Sequence, residues 1–238
     1  MLNYDSEFWK SRAFKLSIWG GSLFVLLTFA AMLIFPGGTM TDPTTRGYSF
    51  FENFFSELGF FTTKSGAANY WAAPLFFVAM NLAGASLILF SLAFRQFFLE
   101  NTRQRWLSGL GTAVGVISGI CFVGVAFTPA DILLDPHVFF VTWAFRLFPL
   151  SASLFAAAIF STPGYPRRYG WLFVGFMICL VAYILLMELG PSAGKTYAGQ
   201  VIQAAGQKII VYVSIIMIGV QSWGALKTAP KPAHKTQR

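Results

Sequence analysis

Ser56, Asp131 and His137 are residue types that acid–base and nucleophilic chemistry needs. A serine hydroxyl is a weak nucleophile until a base takes its proton, an imidazole is the usual base, and a carboxylate can orient the imidazole. Arg146 and Lys208 belong to another chemistry, the recognition of phosphate and carboxylate groups. In sequence, Ser56 follows the first long apolar run, Asp131 follows the third, and His137 opens the fourth. Those three can meet only at one end of a helical assembly. Asp135 is placed to cap the fourth run with Pro136 at its first helical position.

Arg146 and Lys208 fall deep inside apolar runs, Arg146 roughly 15 Å from the end of its helix at 1.5 Å per residue. A cation at that depth in a bilayer is costly and is expected to face protein or a water-filled cavity. Thr142, Arg146 and Ser153 share one side of the fourth run. Gln200, Gln203, Gln207 and Ser214 form a polar stripe on the sixth, with Lys208 at its flank. Glu188 is the nearest acidic partner, and Glu57 and Asp131 lie closer to the surface. Three readings follow: an ion pair involving Glu188, a ligand site for an anion built from Arg146, Lys208, Gln207, Gln203, Glu188 and Glu57, or a proton or ion path. His137 and Arg146 are nine residues apart, half a turn, so only one of them can face the bundle axis.

No metal or cofactor is expected. The second histidine, His234, sits in the C-terminal tail, across the membrane from His137, so neither a zinc centre nor a bis-histidine haem has its ligands. Lys208 invites a retinal Schiff base, but six spans rather than seven argue against it. Cys121 and Cys179 both fall in apolar runs and read as packing residues.

These residues must be positioned by helices in lipid. Hydrophobic residues make up 56% of the 238 and charged residues 11%, against about 25% charged in soluble domains. Six runs reach the roughly 20 apolar residues that a bilayer core requires: about Phe14 to Phe35, Trp71 to Phe94, Trp106 to Phe127, Pro136 to Phe160, Gly170 to Leu189 and Tyr197 to Trp223. Most are closed by Pro or Gly. The first run lacks a small-residue cleavage site and reads as a retained helix.

The net charge of +8 does not indicate nucleic acid, because the cations sit in short loops and tails. Lys10, Arg12, Lys15, Arg95, Arg103, Arg105, Arg167, Arg168, Lys227, Lys231, Lys235 and Arg238 fall on one side, and only Arg46, Lys64 and Lys195 on the other. That bias puts both termini in the cytoplasm. The expectation is therefore an all-α polytopic bundle of six transmembrane helices, one domain over residues 1–227. A disordered cytoplasmic tail over 228–238 follows it.

Within the first outer loop, Phe51, Phe54, Phe55 and Leu58 recur at helical spacing opposite Glu52, Asn53, Ser56 and Glu57. Ser49 and Glu52 are spaced as a capping box. This predicts a short interfacial helix over about 49–59, an anchor or a lid. Gly111, Gly115 and Gly119 repeat at the spacing that lets helices approach closely, within the bundle or, less plainly, between two copies in an oligomer.

The run Phe54 to Gly59, the run Phe127 to Asp131 and His137 resemble the bacterial six-helix membrane family catalogued as domain of unknown function 998. That resemblance implies six spans and no particular activity. A remoter similarity is to the membrane hydrolases that include alkaline ceramidases and adiponectin-receptor-like proteins. It implies Ser56, Asp131 and His137 as part of a catalytic set, while the further histidines and the seventh helix of that superfamily have no counterpart. The leading functional expectation is a multi-pass cell-membrane protein, partnered by membrane lipids, that binds or senses an anionic lipid-like ligand in an outward-facing polar cavity. The alternatives are an intramembrane lipid hydrolase and a structural, partner-binding protein.

Overall fold

The computed structural model describes residues 4–228, and all of its long elements are helices. They are α1 (Ala13–Ile34), α2 (Ala72–Phe94), α3 (Thr102–Phe127), α4 (Leu134–Phe160), α5 (Arg167–Leu189) and α6 (Tyr197–Thr228). All six are long and apolar enough to cross a membrane. A π-helical turn, Phe8–Arg12, leads into α1. The helix α6 continues past Trp223 to Thr228, and the tail expected after it lies outside the described residues. The helix α4 begins at Leu134, so Asp135 sits in its first turn with no capping bond instead of capping it. An acid there still complements the helix dipole.

Each helix packs on its neighbours in sequence, and α6 closes the ring against α1. The end carrying the described N- and C-terminal residues is filled by a Phe-rich cluster that includes Phe90, Phe94, Phe155 and Phe173. A second cluster at the far end includes Phe24, Phe35, Phe55, Leu58 and Phe76. The outward faces carry exposed Trp19, Leu26, Ile209 and Ile216.

Small residues set the spacing of α2, α3 and α4. A Cβ on Gly84 would lie 2.6 Å from the Gly119 carbonyl oxygen, one on Gly111 3.3 Å from Leu154 Cβ, and one on Gly115 2.8 Å from Ser151 Oγ. Gly111, Gly115 and Gly119 of α3 thus pack within the chain. Hydroxyls bond across the same seams: Ser118 Oγ donates to Ala144 O at 2.9 Å, Ser151 Oγ to Gly111 O at 2.8 Å, and Thr112 Oγ1 to Ser91 O at 3.0 Å.

The long connection between α1 and α2 folds over the far end. It is pinned where Gly38 (φ +88°) backs onto the Lys64–Ser65 backbone, so close that a Cβ would overlap it. The single amphipathic helix expected over residues 49–59 does not form. Phe54 is extended (φ −69°, ψ 156°) and divides a single turn at 49–53 from the 3-10 turn Phe55–Gly59. The expected faces are also mixed: Phe55 and Leu58 are buried as expected, but so are Asn53 and Glu57, while Phe51 is 61% exposed. The reason is competition for backbone groups. Asn53 Oδ1 accepts from Ser49 N at 2.8 Å, Asn53 Nδ2 donates to Gly38 O at 2.8 Å, and side chains of α6 take the remaining groups. Glu52 meets Tyr197 rather than closing a capping box, with Tyr197 Oη donating to Glu52 Oε1 at 3.3 Å.

Candidate functional site

The polar stripe of α6 is a clasp for that loop. Gln200 Nε2 donates to Glu52 O at 2.8 Å, and Gln207 Oε1 accepts from Phe55 N at 2.7 Å. Lys208 Nζ donates to Asn53 O. Lys208 is fully buried, and its ammonium also lies 5.3 Å from the ring centroids of Tyr48 and Phe50. Gln203 Nε2 reaches instead to the end of α5, donating to Leu186 O at 2.8 Å and Pro191 O at 3.2 Å.

Arg146 is elsewhere. Its guanidinium pairs with Glu188 at 2.5 Å between α4 and α5, and both side chains are about half exposed, at 46% and 49%. It lines none of the cavities described below. The shared pocket expected around Arg146 and Lys208 is therefore not formed, because each cation is satisfied separately by protein. The half-turn between positions 137 and 146 explains the outcome: His137 takes the inward face and is 6% exposed, so Arg146 is turned out.

What the far end does hold is a cavity of about 410 Å³, roofed by the loop and walled by α4, α5 and α6. Its polar lining is Ser56, Glu57, Lys64, His137, Thr142, Tyr183, Gln203 and Gln207. Ser56 and His137 also line a second cavity of about 300 Å³ beneath Ala73, Phe76 and Val125. The His137 ring is oriented by a 2.6 Å contact between Nδ1 and the Thr128 carbonyl oxygen. A carbonyl can only accept, so Nδ1 carries the proton and Nε2 is left as the acceptor.

Asp131 does not join this pair. Its Oδ2 accepts from Phe61 N and Thr62 N, each at 2.9 Å, and so ties the loop to the α3–α4 turn. Asp131→Ala is expected to cost about 1–2 kcal/mol, the worth of charge-assisted bonds at a partly exposed site. Amide exchange should then speed up at Phe61 and Thr62 while His137 chemistry is untouched. Unchanged exchange at those two amides would refute the role.

Glu57 is the unusual group. It is 2% exposed, and burial pushes its carboxyl from the ordinary 4.5 up to about 7. A 2.5 Å bond from Asn53 Nδ2 and the charges of Lys64 and Lys208 pull the other way without winning. Near neutrality the cavity wall therefore holds an exchangeable proton, and Lys64 is the one Lys or Arg among its lining residues.

The far-end cavity adjoins smaller ones deeper in the bundle. Ser56, Val141 and Gln207 also line a small apolar cavity with Phe24, Phe76 and Met80. That cavity shares Phe24, Met80, Phe122, Phe145 and Val211 with a fourth, the axial cavity, of about 60 Å³, which reaches Ser86 and Ile218. Lys64, Tyr183 and Met187 were not singled out by sequence. Their place depends on how the loop and α5 fold back, and no spacing or motif marks it. No family model, curated protein or solved structure matches this chain.

Proposed function

We propose that this chain is a multi-pass protein of the cell membrane, with the termini in the cytoplasm, that holds an anionic single-chain lipid. The head would sit in the cavity beneath the loop and the tail would run along the bundle axis. The observation that supports the reading is that a cavity with polar groups in its lining adjoins apolar ones across the shared walls Ser56, Val141 and Gln207. A cavity that is polar at its mouth and apolar within suits an amphiphile better than an ion or a sugar. Lys64 at the rim, the Gln207 amide NH2 and a protonated Glu57 suit a carboxylate or phosphate head. The Lys and Arg bias of the sequence supplies the orientation, which makes this cavity face outward.

The test is lipid analysis of purified protein. Wild type should retain a single-chain anionic amphiphile. Val141→Trp, which fills the neck, should lose it, and Lys64→Glu should retain less. Retention of ordinary two-chain lipids alone, equal in all three proteins, would refute the proposal.

A second reading, cleavage of that ligand, is favoured by His137 having its Nδ1 held by Thr128 O while Ser56 shares both of its cavities. A fluorophosphonate should then label wild type at Ser56, and labelling should vanish in His137→Ala. Equal labelling of wild type and Ser56→Ala would exclude it.

A further inference from the structure

The axial cavity has a flank as well as a mouth. Ser17, Gly21 and Ile215 line it from the inside, and the same three residues line a groove of about 430 Å³ on the outer surface between α1 and α6. The groove is completed by Ile18, Ser22, Val25, Leu26, Ile216 and Gly219. Only the thickness of one contact separates groove from cavity: a Cβ on Gly21 would lie 3.2 Å from Ile215 Cγ2. Ser17 is not a polar obstacle there, because its hydroxyl is already spent on Ala13 O at 3.0 Å and Ser86 O at 3.1 Å.

The groove lies in the half of α1 and α6 nearer the termini, well inside both apolar spans. In a membrane the medium filling it is hydrocarbon, so its occupant is an acyl chain and not a water-soluble ligand. From Gln207 to Ile218 is eleven residues of α6, or about 16 Å, the length of a medium acyl chain, and the inner cavities of about 40 and 60 Å³ must widen to take one.

From this we infer that the α1–α6 seam at Gly21 and Ile215 is a lateral portal. Through it an acyl chain passes between the bilayer and the axial cavity. The inference rests on the lipid-binding reading above and adds its route, so that the ligand need not leave the membrane to reach the site. Opening requires only that Ile215 change rotamer or that the two helices part slightly, since Gly21 presents no side chain to the seam. The Arg146–Glu188 pair, by contrast, fastens α4 to α5 on the other flank.

The experiment uses the full chain in nanodiscs and a fatty acid with a diazirine at its terminal carbon, with labelled residues mapped by peptide mass spectrometry over time. Wild type should be labelled at groove residues Leu26 and Ile216 first, and then at axial residues Met80 and Phe122. Gly219→Trp plugs the groove without a backbone clash, because no atom lies within 4 Å of a Cβ at that site. Gly175 on α5 has the same freedom and is away from the groove, so Gly175→Trp is the control. Gly219→Trp should slow axial labelling by about tenfold or more, as a closed route would, while Gly175→Trp leaves it unchanged. Axial labelling that proceeds equally fast in Gly219→Trp overturns the portal and leaves the ligand reading standing. Absence of axial labelling in wild type overturns both.

Discussion

Glu57→Gln is expected to make the protein more stable at pH 8 and no different at pH 4. The cause is the buried carboxyl, pushed from 4.5 to about 7 chiefly by loss of water around it. Below about 4.5 the folded and unfolded chains both hold the proton, and nothing is lost. Between 4.5 and about 7 the unfolded chain releases the proton while the folded one keeps it, so stability falls as pH rises. Above about 7 the folded chain carries a buried carboxylate, and the cost levels off at about 3 kcal/mol. The neutral amide of the variant would accept the Asn53 bond through its carbonyl oxygen and carry none of that cost. Melting of the two proteins, followed by size-exclusion fluorescence from pH 4 to pH 8, should diverge through this window. Curves that stay parallel would show that Glu57 is not held as the structure implies. The same proton bears on ligand binding, since an anionic head meets a neutral acid below about 7 and a carboxylate above it. Wild type should therefore retain the ligand better at pH 6 than at pH 8, and Glu57→Gln should erase the difference.

The six helices were legible because a bilayer core imposes a length and a composition that the runs satisfy one by one. Helix ends were legible to within a few residues wherever Pro or Gly stopped them, as at Pro36 and Gly190. The site was legible in kind but not in arrangement. Ser56 and His137 were recognisable as chemistry-bearing types and do share two cavities, but Asp131 was spent on loop amides. The polar stripe of α6 was visible, but its target was not. Gln200, Gln207 and Lys208 bind backbone some 150 residues away in sequence. Periodicity records which face of a helix is polar and says nothing of which distant carbonyl will meet it. The loop itself misled for the same reason: the 3.6-residue spacing of Phe51, Phe54, Phe55 and Leu58 was overridden by tertiary bonds to its backbone. A buried Lys208 also reads differently once its partner is known. It is an anchor for the roof of the cavity before it is a ligand for anything within it.

Gly84→Leu carries a large structural penalty, and it bears on function because α2 and α3 wall both inner cavities. At this crossing the new Cβ would stand 2.6 Å from the Gly119 carbonyl oxygen and 2.6 Å from Val123 Cγ2, with Val123 N at 3.1 Å. Two of those three atoms belong to backbone, so no rotamer change relieves the overlap, and the helices must separate. Separation stretches Thr112 Oγ1 to Ser91 O, 3.0 Å at present, and opens packing along the seam. Overpacking typically costs about 1–3 kcal/mol where side chains can yield. Here the rigid neighbours place the cost at or above that range. Gly84→Leu should lose most of its folded yield in detergent, and Gly84→Ala should melt earlier than wild type but still fold. Gly175→Leu, with open space at its Cβ, should match wild type. If the glycines of α3 served instead to join two copies, substitutions at Gly111, Gly115 or Gly119 would split a dimer and spare the melting temperature of the single chain. Their contacts with Leu154, Ser151 and Gly84 of the same chain argue that the melting temperature is what falls. A monodisperse Gly84→Leu protein with wild-type stability would refute the close crossing, and with it the placement of Met80 and Phe122 around the axial cavity.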